Sequence, residues 1–400
     1  MYLIGRLRIA VKRAVSKLLT IPKPFCFVGP DSAFLALCRE IANTGVKRVA
    51  LITDGQLFKL GVVDAIVQTL RDAGLTVEIF DEIEPDPGYD MINAGVEQLR
   101  KAQAQAVLAV GGGSSIDGAK TMVACYANNC HPSKLVGMFK VRKAGVPFYA
   151  IATTAGTGSE VTMVAIVSDK AAQLKRSIID PKLIPLMVAL DPNLMTGLPP
   201  AITAATGMDA LTHAVEAYIA TTATAETDQL AKAATANILR NLPKAYSNGK
   251  DLAVRERMAI GACTAGLAFT RAGVGYVHAI AHQLGALYHV PHGLANAIVM
   301  PCVLDLSKQN CAHRLADLAR CAGVGSEAAG DLELATQFIA RIRKMNRDMG
   351  IPDKVKDLRR EDFDKIVRRA FKEAHGTYGV PKYFSRAECE GILHQLLPAS

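Results

Sequence analysis

The order of apolar and polar positions divides this chain near residue 200. Before that point, short apolar runs rich in β-branched residues alternate with stretches of helical periodicity. After it, long Ala- and Leu-rich helical stretches follow one another with hardly a strand signal. Alternating strands and helices are typical of a parallel sheet with helices on both faces. The pattern therefore predicts an α/β domain over residues 24–199 and an all-helical domain over residues 200–400.

The apolar runs also place individual elements of both domains. Buried strands are predicted over 47–53, 76–81, 106–111 and 148–154, with helices over 57–73 and 89–101. Segments 161–168 and 173–179 flank a short polar turn, which predicts a β-hairpin attached to the same sheet. In the second domain, helices are predicted over 201–220, 227–241, 252–270 and 332–349.

Composition and charge narrow the class of protein. No apolar run reaches the roughly 18–20 residues that a membrane-spanning helix needs. The net charge is +9, but residues 1–20 carry five basic residues and no acidic one, so no chain-wide basic face remains for nucleic acid. Residues 1–23 are predicted to be a basic amphipathic extension, with a transit peptide or a membrane-surface contact as alternatives. The nine cysteines occur singly, which favours reduced thiols and a cytoplasmic location over an organellar one.

The candidate chemistry begins with five potential ligands on two short segments. Asp209 and His213 are four residues apart and would share one face of a helix. Four of the nine histidines, including His278, His282 and His292, lie between positions 278 and 292. Imidazoles with one carboxylate suit Fe(II), Zn(II), Mn(II) or Co(II), and the ligand types alone do not choose among them. A protease of the His-Glu-x-x-His type is excluded because position 279 is alanine, which leaves no general base.

Two glycine-rich loops follow predicted strands in the α/β domain. In the first, three glycines end the strand 106–111 and open a helix, a context in which backbone N–H groups and a helix N-terminus bind phosphate. The alternative is a plain tight turn with a serine N-cap. The second loop, residues 152–160, offers threonine hydroxyls at the same sheet edge. The candidate cofactor residues of the first loop are Gly112, Gly113, Ser114 and Asp117.

Asp54 ends the predicted strand 47–53 and is a candidate ligand for the cofactor ribose. A carboxylate there would accept from the ribose hydroxyls and repel a 2′-phosphate, which predicts NAD rather than NADP. The alternative is that Asp54 only begins the turn before the next helix.

Taken together, these motifs resemble the iron-containing (group III) alcohol dehydrogenases, the family that includes lactaldehyde reductase and propanediol dehydrogenase. The resemblance covers about residues 25 to 400 and rests on the Gly-Gly-Gly-Ser-Ser-Ile-Asp-Gly-Ala-Lys loop, Thr-Thr-Ala-Gly-Thr-Gly-Ser-Glu-Val-Thr, Gly-Met-Asp-Ala-Leu-Thr-His and the stretch 278–293. It implies a dehydroquinate synthase-like α/β nucleotide-binding domain, an all-α domain and catalysis in the cleft between them.

The resemblance also implies roles for individual residues. His282 falls on a non-ligand histidine near the nicotinamide, where it would relay a proton. Lys175 falls on a lysine at the cofactor and substrate cleft, and Phe269 on an aromatic residue that lines the substrate pocket. The implied metal ligands are Asp209, His213, His278 and His292, and the implied cofactor contacts include Gly113, Ser114, Thr153, Thr154 and Thr157.

Three positions depart from the family pattern. Asp86 stands where relatives often carry an asparagine close to the cofactor, so an amide becomes a carboxylate. Val164 replaces a polar, substrate-facing residue of some relatives, which implies a more apolar pocket. The usual Asn-Pro-Arg before the last helix is absent, and nearby His375 is a candidate for the pocket floor.

The resemblance implies a metal-dependent, NAD-linked dehydrogenase of small primary alcohols, most naturally with Fe(II), acting as a homodimer or higher homo-oligomer. One rival is a lyase on the dehydroquinate synthase-like scaffold, whose phosphorylated substrate would need several basic residues in the cleft. The other is a structural protein that keeps the fold with an inactive site.

Overall fold

The computed structural model describes residues 21–326 and 328–398. The predicted amphipathic segment at the N-terminus lies almost wholly outside these residues. Two compact units are present: the first comprises Ile21–Leu198 with Lys250–Cys263, and the second Pro199–Gly249 with the described residues from Thr264 onward. Residues 250–263, which the sequence pattern places in the helical domain, group with the first unit.

The first unit is built on a six-stranded sheet whose paired strands all run parallel. Its strand order is β1-β9-β6-β4-β2-β3. Because the crossover connections of a parallel sheet carry helices to its faces, the central strands are buried on both sides. The strands are β1 (Phe25–Val28), β2 (Arg48–Asp54), β3 (Thr76–Ile83), β4 (Ala106–Gly111), β6 (Phe148–Ala152) and β9 (Met187–Leu190).

Five helices accompany this sheet. They are α1 (Ala33–Asn43), α2 (Gly55–Lys59), α3 (Asp64–Asp72), α4 (Tyr89–Lys101) and α5 (Gly113–Asn128). Apolar residues of α1 and α3 form a core with alternate residues of β2, β4 and β6, and α5 packs on the same three strands. All six residues of β4 are buried, as expected for the centre of a sheet with two covered faces.

Two predictions for this unit are wrong. The single helix predicted over 57–73 is two helices, α2 and α3, because the backbone turns at Gly61, which has a φ of +69°. The predicted hairpin, β7 (Val164–Asp169) with β8 (Leu174–Ile179), is antiparallel as expected but does not join the large sheet. It pairs instead with β5 (Gly137–Met138) in a separate three-stranded sheet.

The second unit is helical throughout its described residues, apart from loops and one 3₁₀ turn. The fold class predicted from the sequence, a parallel α/β part followed by an all-helical part, is confirmed. None of the described helices has the length and hydropathy needed to cross a membrane. The helices are α6 (Pro200–Ile219), α7 (Ala225–Ser247), α8 (Leu252–Ala272), α9 (Tyr276–Tyr288), α10 (His292–Ala322), α11 (Asp331–Asp348), α12 (Phe363–Ala374) and α13 (Arg386–Leu396), of which α8 begins in the first unit.

Candidate metal centre and cofactor loops

Four of the five potential ligands meet in the second unit. Asp209 and His213 lie one turn apart on α6, His278 lies in the first turn of α9, and His292 begins α10. Each residue offers one ligand atom, and these four atoms lie within 4.8 Å of one another. Three helices therefore bring together residues that are up to 83 positions apart in the chain.

The spacing of these atoms fits a divalent cation. His278 Nε2 lies 3.0 Å from His213 Nε2, and Asp209 Oδ1 lies 3.4 Å from His292 Nε2 and 3.8 Å from His278 Nε2. Ligands about 2.1 Å from one tetrahedral ion are about 3.4 Å apart. The donor set of three imidazole nitrogens and one carboxylate oxygen suits iron, zinc, manganese or cobalt.

The surroundings of two ligands, His278 and Asp209, favour the protonation states that metal binding needs. His278 is almost fully buried, and loss of solvent holds its pKa well below the ordinary value, so the ring is neutral. Burial alone would raise the pKa of Asp209, but His213, His292 and His278 outweigh it and lower that pKa. Metal binding requires a neutral imidazole and an ionised carboxylate, and this environment provides both.

Two further polar side chains touch the ligands. Asn296 Nδ2 donates to Asp209 Oδ1 at 2.6 Å and lies within 3.3 Å of His292 Nε2. Glu216 Oε2 accepts from His278 Nδ1 at 2.7 Å. Neither residue is predicted from the sequence, although helical spacing indicates both: Asn296 is four residues after His292, and Glu216 is three after His213.

His282 lies beside the ligand cluster, and its hydrogen bond is to a residue outside that cluster. Its ring stacks on that of His292, with 5.2 Å between centroids, and its Nδ1 donates to Glu373 Oε1 at 2.6 Å. The Tyr378 hydroxyl donates to the same oxygen at 2.6 Å, and Gln283 Nε2 donates to Glu373 Oε2 at 3.2 Å. Glu373 is 91 residues from His282 in the chain, so no spacing pattern could have indicated this pair.

The two candidate pocket residues of this unit occupy different surroundings. Phe269 stacks on the ring of His213, with centroids 4.1 Å apart, and so places an apolar face against a ligand. His375 Nε2 is hydrogen bonded to the Tyr276 hydroxyl at 2.5 Å, and the His375 ring stacks on Phe371. Burial lowers the pKa of His375, so this ring is favoured in its neutral form.

In the first unit, the two glycine-rich loops leave neighbouring strands side by side. Gly111 at the end of β4 pairs with Ala152 at the end of β6, and the N–H of Thr153 donates to Gly111 O at 3.0 Å. A Cβ on Gly113 would lie 2.5 Å from Thr157 Cγ2, so the loops pack too closely for any side chain there. No side chain caps α5, whose first-turn N–H groups therefore suit a phosphate.

Lys175 and Asp86 form an ion pair in this unit. Lys175 Nζ lies 2.6 Å from Asp86 Oδ1, and the lysine side chain is only 9% exposed. The N–H of Asp86 donates to Ser114 Oγ at 3.3 Å. The family departure at position 86 therefore places a carboxylate next to two of the predicted cofactor residues and neutralises the charge of Lys175.

Both carboxylate oxygens of Asp117 accept hydrogen bonds from other parts of the first unit. Its two oxygens accept from Ser159 Oγ at 2.5 Å and from the N–H of Ile166 at 2.9 Å, and the residue is half-buried. One turn on, Lys120 Nζ donates to the carbonyl oxygens of Thr162 and Val164, and burial lowers its pKa to about 8. Val164 thus contributes a backbone acceptor to this network, in addition to its predicted pocket role.

Asp54 acts as the N-cap of α2. Its Oδ1 accepts from the N–H groups of Gln56 and Leu57 at 3.0 and 2.9 Å. The alternative stated for the sequence, a residue that begins the turn, is thus realised in the fold. Asp54 also ends β2, which adjoins β4, so its position at the sheet edge remains compatible with the predicted ribose contact.

Comparison with known proteins agrees with this geometry. Residues 25–192 match the family model described as iron-containing alcohol dehydrogenase, and residues 203–397 match that of the C-terminal part of the same family. The NAD-dependent methanol dehydrogenase of Bacillus methanolicus is 37% identical over 84% of this chain and 88% of its own length. The 1,3-propanediol dehydrogenase of Klebsiella pneumoniae is 37% identical over 92% of this chain and 96% of its own.

The fold of this chain also closely matches that of a solved relative. A crystal structure of a 1,3-propanediol oxidoreductase superposes with a TM-score of 0.90 at 35% identity, covering 95% of this chain and 100% of that one.

Proposed function

We propose that this chain, which belongs to the iron-containing alcohol dehydrogenase family, interconverts small primary alcohols and aldehydes with NAD. A divalent cation, most naturally Fe(II), would be held by Asp209, His213, His278 and His292. The observation that carries this proposal is the convergence of those four ligand atoms within 4.8 Å. When bound, the cation would supply Lewis acidity at the alcohol oxygen, and NAD would serve as the hydride acceptor.

The proton released from the alcohol needs an acceptor near the cation, and His282 is a candidate because its ring stacks on that of the ligand His292. Glu373 accepts from His282 Nδ1, which leaves Nε2 with a lone pair. Since Tyr378 and Gln283 donate to the same carboxylate, the orientation of the ring is fixed. His282 would therefore take up the proton at Nε2, with Glu373 stabilising the charged ring.

Replacing Glu373 by glutamine should lower kcat by roughly 10²-fold, because the amide no longer stabilises the protonated His282. The KM for NAD should change little, since Glu373 and the cofactor loops belong to different units. Steady-state kinetics with matched cation content would test this. An unchanged kcat would remove Glu373 and the proton relay from the account.

The surroundings of the ligands favour a small substrate without further charges. Phe269 places an aromatic ring against the ligand His213. Two relatives are named for methanol and 1,3-propanediol, which are small primary alcohols. We infer a preference for short unbranched alcohols over phosphorylated, polyhydroxylated compounds, which argues against the lyase.

Asp54 is proposed to set the preference for NAD over NADP. Asp54→Asn keeps the N-cap, because asparagine caps helices as well as aspartate, but removes the charge that would repel a 2′-phosphate. The ratio of kcat/KM for NAD to that for NADP should fall roughly tenfold, which corresponds to about 1.4 kcal/mol. Asp54→Gly should also lower this ratio. An unchanged ratio in both variants would place Asp54 outside the cofactor site.

We also propose that the protein is a cytoplasmic homodimer or higher homo-oligomer. All nine cysteines are free thiols, as suits a reducing compartment. Light scattering of the purified protein would test the assembly, and a monomer at micromolar concentration would contradict it.

An NADH absorbance assay with a panel of small alcohols, run after reconstitution with iron, zinc or manganese, tests the activity itself. A dehydrogenase gives cation-dependent NADH formation. A lyase gives product without net NADH, and a structural protein gives no signal.

A further inference from the structure

The carboxylate of Glu216 is buried against the start of α9. Only 3% of this side chain is exposed, and it accepts three hydrogen bonds from that helix. The N–H of Gly275 donates to Oε2 and the N–H of Val277 to Oε1, both at 2.7 Å, and His278 Nδ1 lies 2.7 Å from Oε2. One side chain on α6 thus holds both the backbone and a ligand of α9.

Glu216 takes the place of the capping side chain that the N-cap residue of α9 lacks. The N-cap residue is Gly275, which has no side chain to satisfy the first N–H groups of the helix. A Cβ at this position would lie 2.7 Å from Glu216 Oε1, so the approach of the carboxylate requires glycine. A negative charge is also favourable beside the positive end of a helix. Gly275 and Glu216 are therefore matched to one another.

The same carboxylate determines which nitrogen of His278 carries the proton. The N–H of Gly275 already donates to Oε2, so this oxygen acts as an acceptor; a protonated Nδ1 therefore makes the hydrogen bond from His278, and Nε2 keeps its lone pair. Nε2 is the atom that faces His213 Nε2 at 3.0 Å and Asp209 Oδ1 at 3.8 Å. The lone pair of His278 is thus directed at the ligand cluster.

We propose that Glu216 is a positioning residue of the metal site: it fixes the tautomer and ring orientation of His278 so that Nε2 binds the cation. The inference rests on the proposed metal-dependent function. It goes further by assigning cation affinity to a residue that touches neither the cation nor the substrate.

The variant Glu216→Gln separates this role from a purely structural one. Glutamine has the same shape, and an amide oxygen in the place of Oε1 still accepts from the N–H of Val277, although the N–H of Gly275 then loses its acceptor. Its amide nitrogen, however, donates to His278 Nδ1 and moves the ring proton to Nε2, where it blocks coordination. The dissociation constant for Co(II), used as a probe cation and measured by competition with a chelator, should rise roughly 10- to 100-fold.

The matched control is Tyr218→Phe, on the same helix. It removes the hydrogen bond from the Tyr218 hydroxyl to Asp317 Oδ2, of 2.9 Å, and should lower stability by about 1 kcal/mol. Its cobalt affinity and its cobalt absorption spectrum should match those of the parent protein. Glu216→Gln should alter both at a similar cost in stability.

A second variant covers the case in which Glu216→Gln does not fold. Gly275→Ala leaves the carboxylate intact but displaces it, and should also weaken cobalt binding. Parent-like cobalt affinity in a folded Glu216→Gln protein, or in Gly275→Ala if only that variant folds, would overturn the inference while leaving the proposed function standing. If the parent protein itself bound no divalent cation, the proposed function would fail instead.

Discussion

His278→Ala should abolish cation binding and lower kcat by at least roughly 10³-fold. The residue is buried and neutral, and its ligand nitrogen, Nε2, lies close to His213 Nε2 and to Asp209 Oδ1. Lewis acidity at the substrate oxygen is worth several kcal/mol, and each 1.4 kcal/mol is a factor of ten in rate. Cation content by mass spectrometry and kcat by NADH absorbance would be measured on the same preparation.

The control for this variant is His289→Asn. His289 is exposed at the end of α9 and has a φ of +54°, a conformation that asparagine tolerates. Cation content and kcat should be retained there. NAD binding to His278→Ala, measured by fluorescence, should persist, because the cofactor loops belong to the other unit. Full activity of His278→Ala without bound cation would refute the ligand assignment.

Gly113→Ala should raise the KM for NAD by roughly 10- to 100-fold. A Cβ there would lie 2.5 Å from Thr157 Cγ2 and 3.0 Å from Thr157 Oγ1, so the second loop must move. Overpacking of this kind typically costs 1–3 kcal/mol. The displaced loop carries the hydroxyls proposed to contact the cofactor. Cation content should stay at the parent level. Gly113→Ala should thus weaken NAD binding and keep the cation, whereas His278→Ala should lose the cation and keep NAD binding.

Gly197→Ala is the matched glycine control, since a Cβ at that position meets no atom within 4 Å. It should leave the KM for NAD unchanged. If Gly113→Ala bound NAD as tightly as the parent, the loop between β4 and α5 would not be the cofactor site.

The grouping of the four candidate ligands is the feature of the site that the sequence pattern predicts best. Helical spacing put Asp209 and His213 on one face, and the local density of histidines drew attention to His278 and His292. The residues around the ligands were harder to find. Glu216 and Asn296 share helix faces with ligands and could have been inferred, but Glu373 reaches His282 only through the packing of α9 against α12.

Strand and helix periods predicted most elements of the fold but not how they were connected. The strand 106–111 and the helix 89–101 were predicted with their observed limits. Residues 57–73 have an apolar period that continues across Gly61, so the period could not show that the backbone turns there. The hairpin was predicted as a hairpin, yet the choice of sheet depends on contacts with residues 137–138, which alternation does not encode.

Asp54 and Asp117 show a limit of motif reasoning. Each stands at a position suited to a cofactor, and each also has a role in the fold. Asp54 caps α2, and Asp117 joins α5 to β7 by a hydrogen bond. Sequence alone could not separate these roles, because one carboxylate can serve the backbone and a ligand. Substitutions that preserve the hydrogen bonds and change only the charge are therefore the informative ones.

The most direct test of the central claim is an anomalous diffraction map of the active protein at the absorption edge of its bound cation. The account predicts one strong peak about 2.0–2.2 Å from Asp209, His213, His278 and His292. A fully active crystal whose anomalous peak lies away from these four side chains would contradict it.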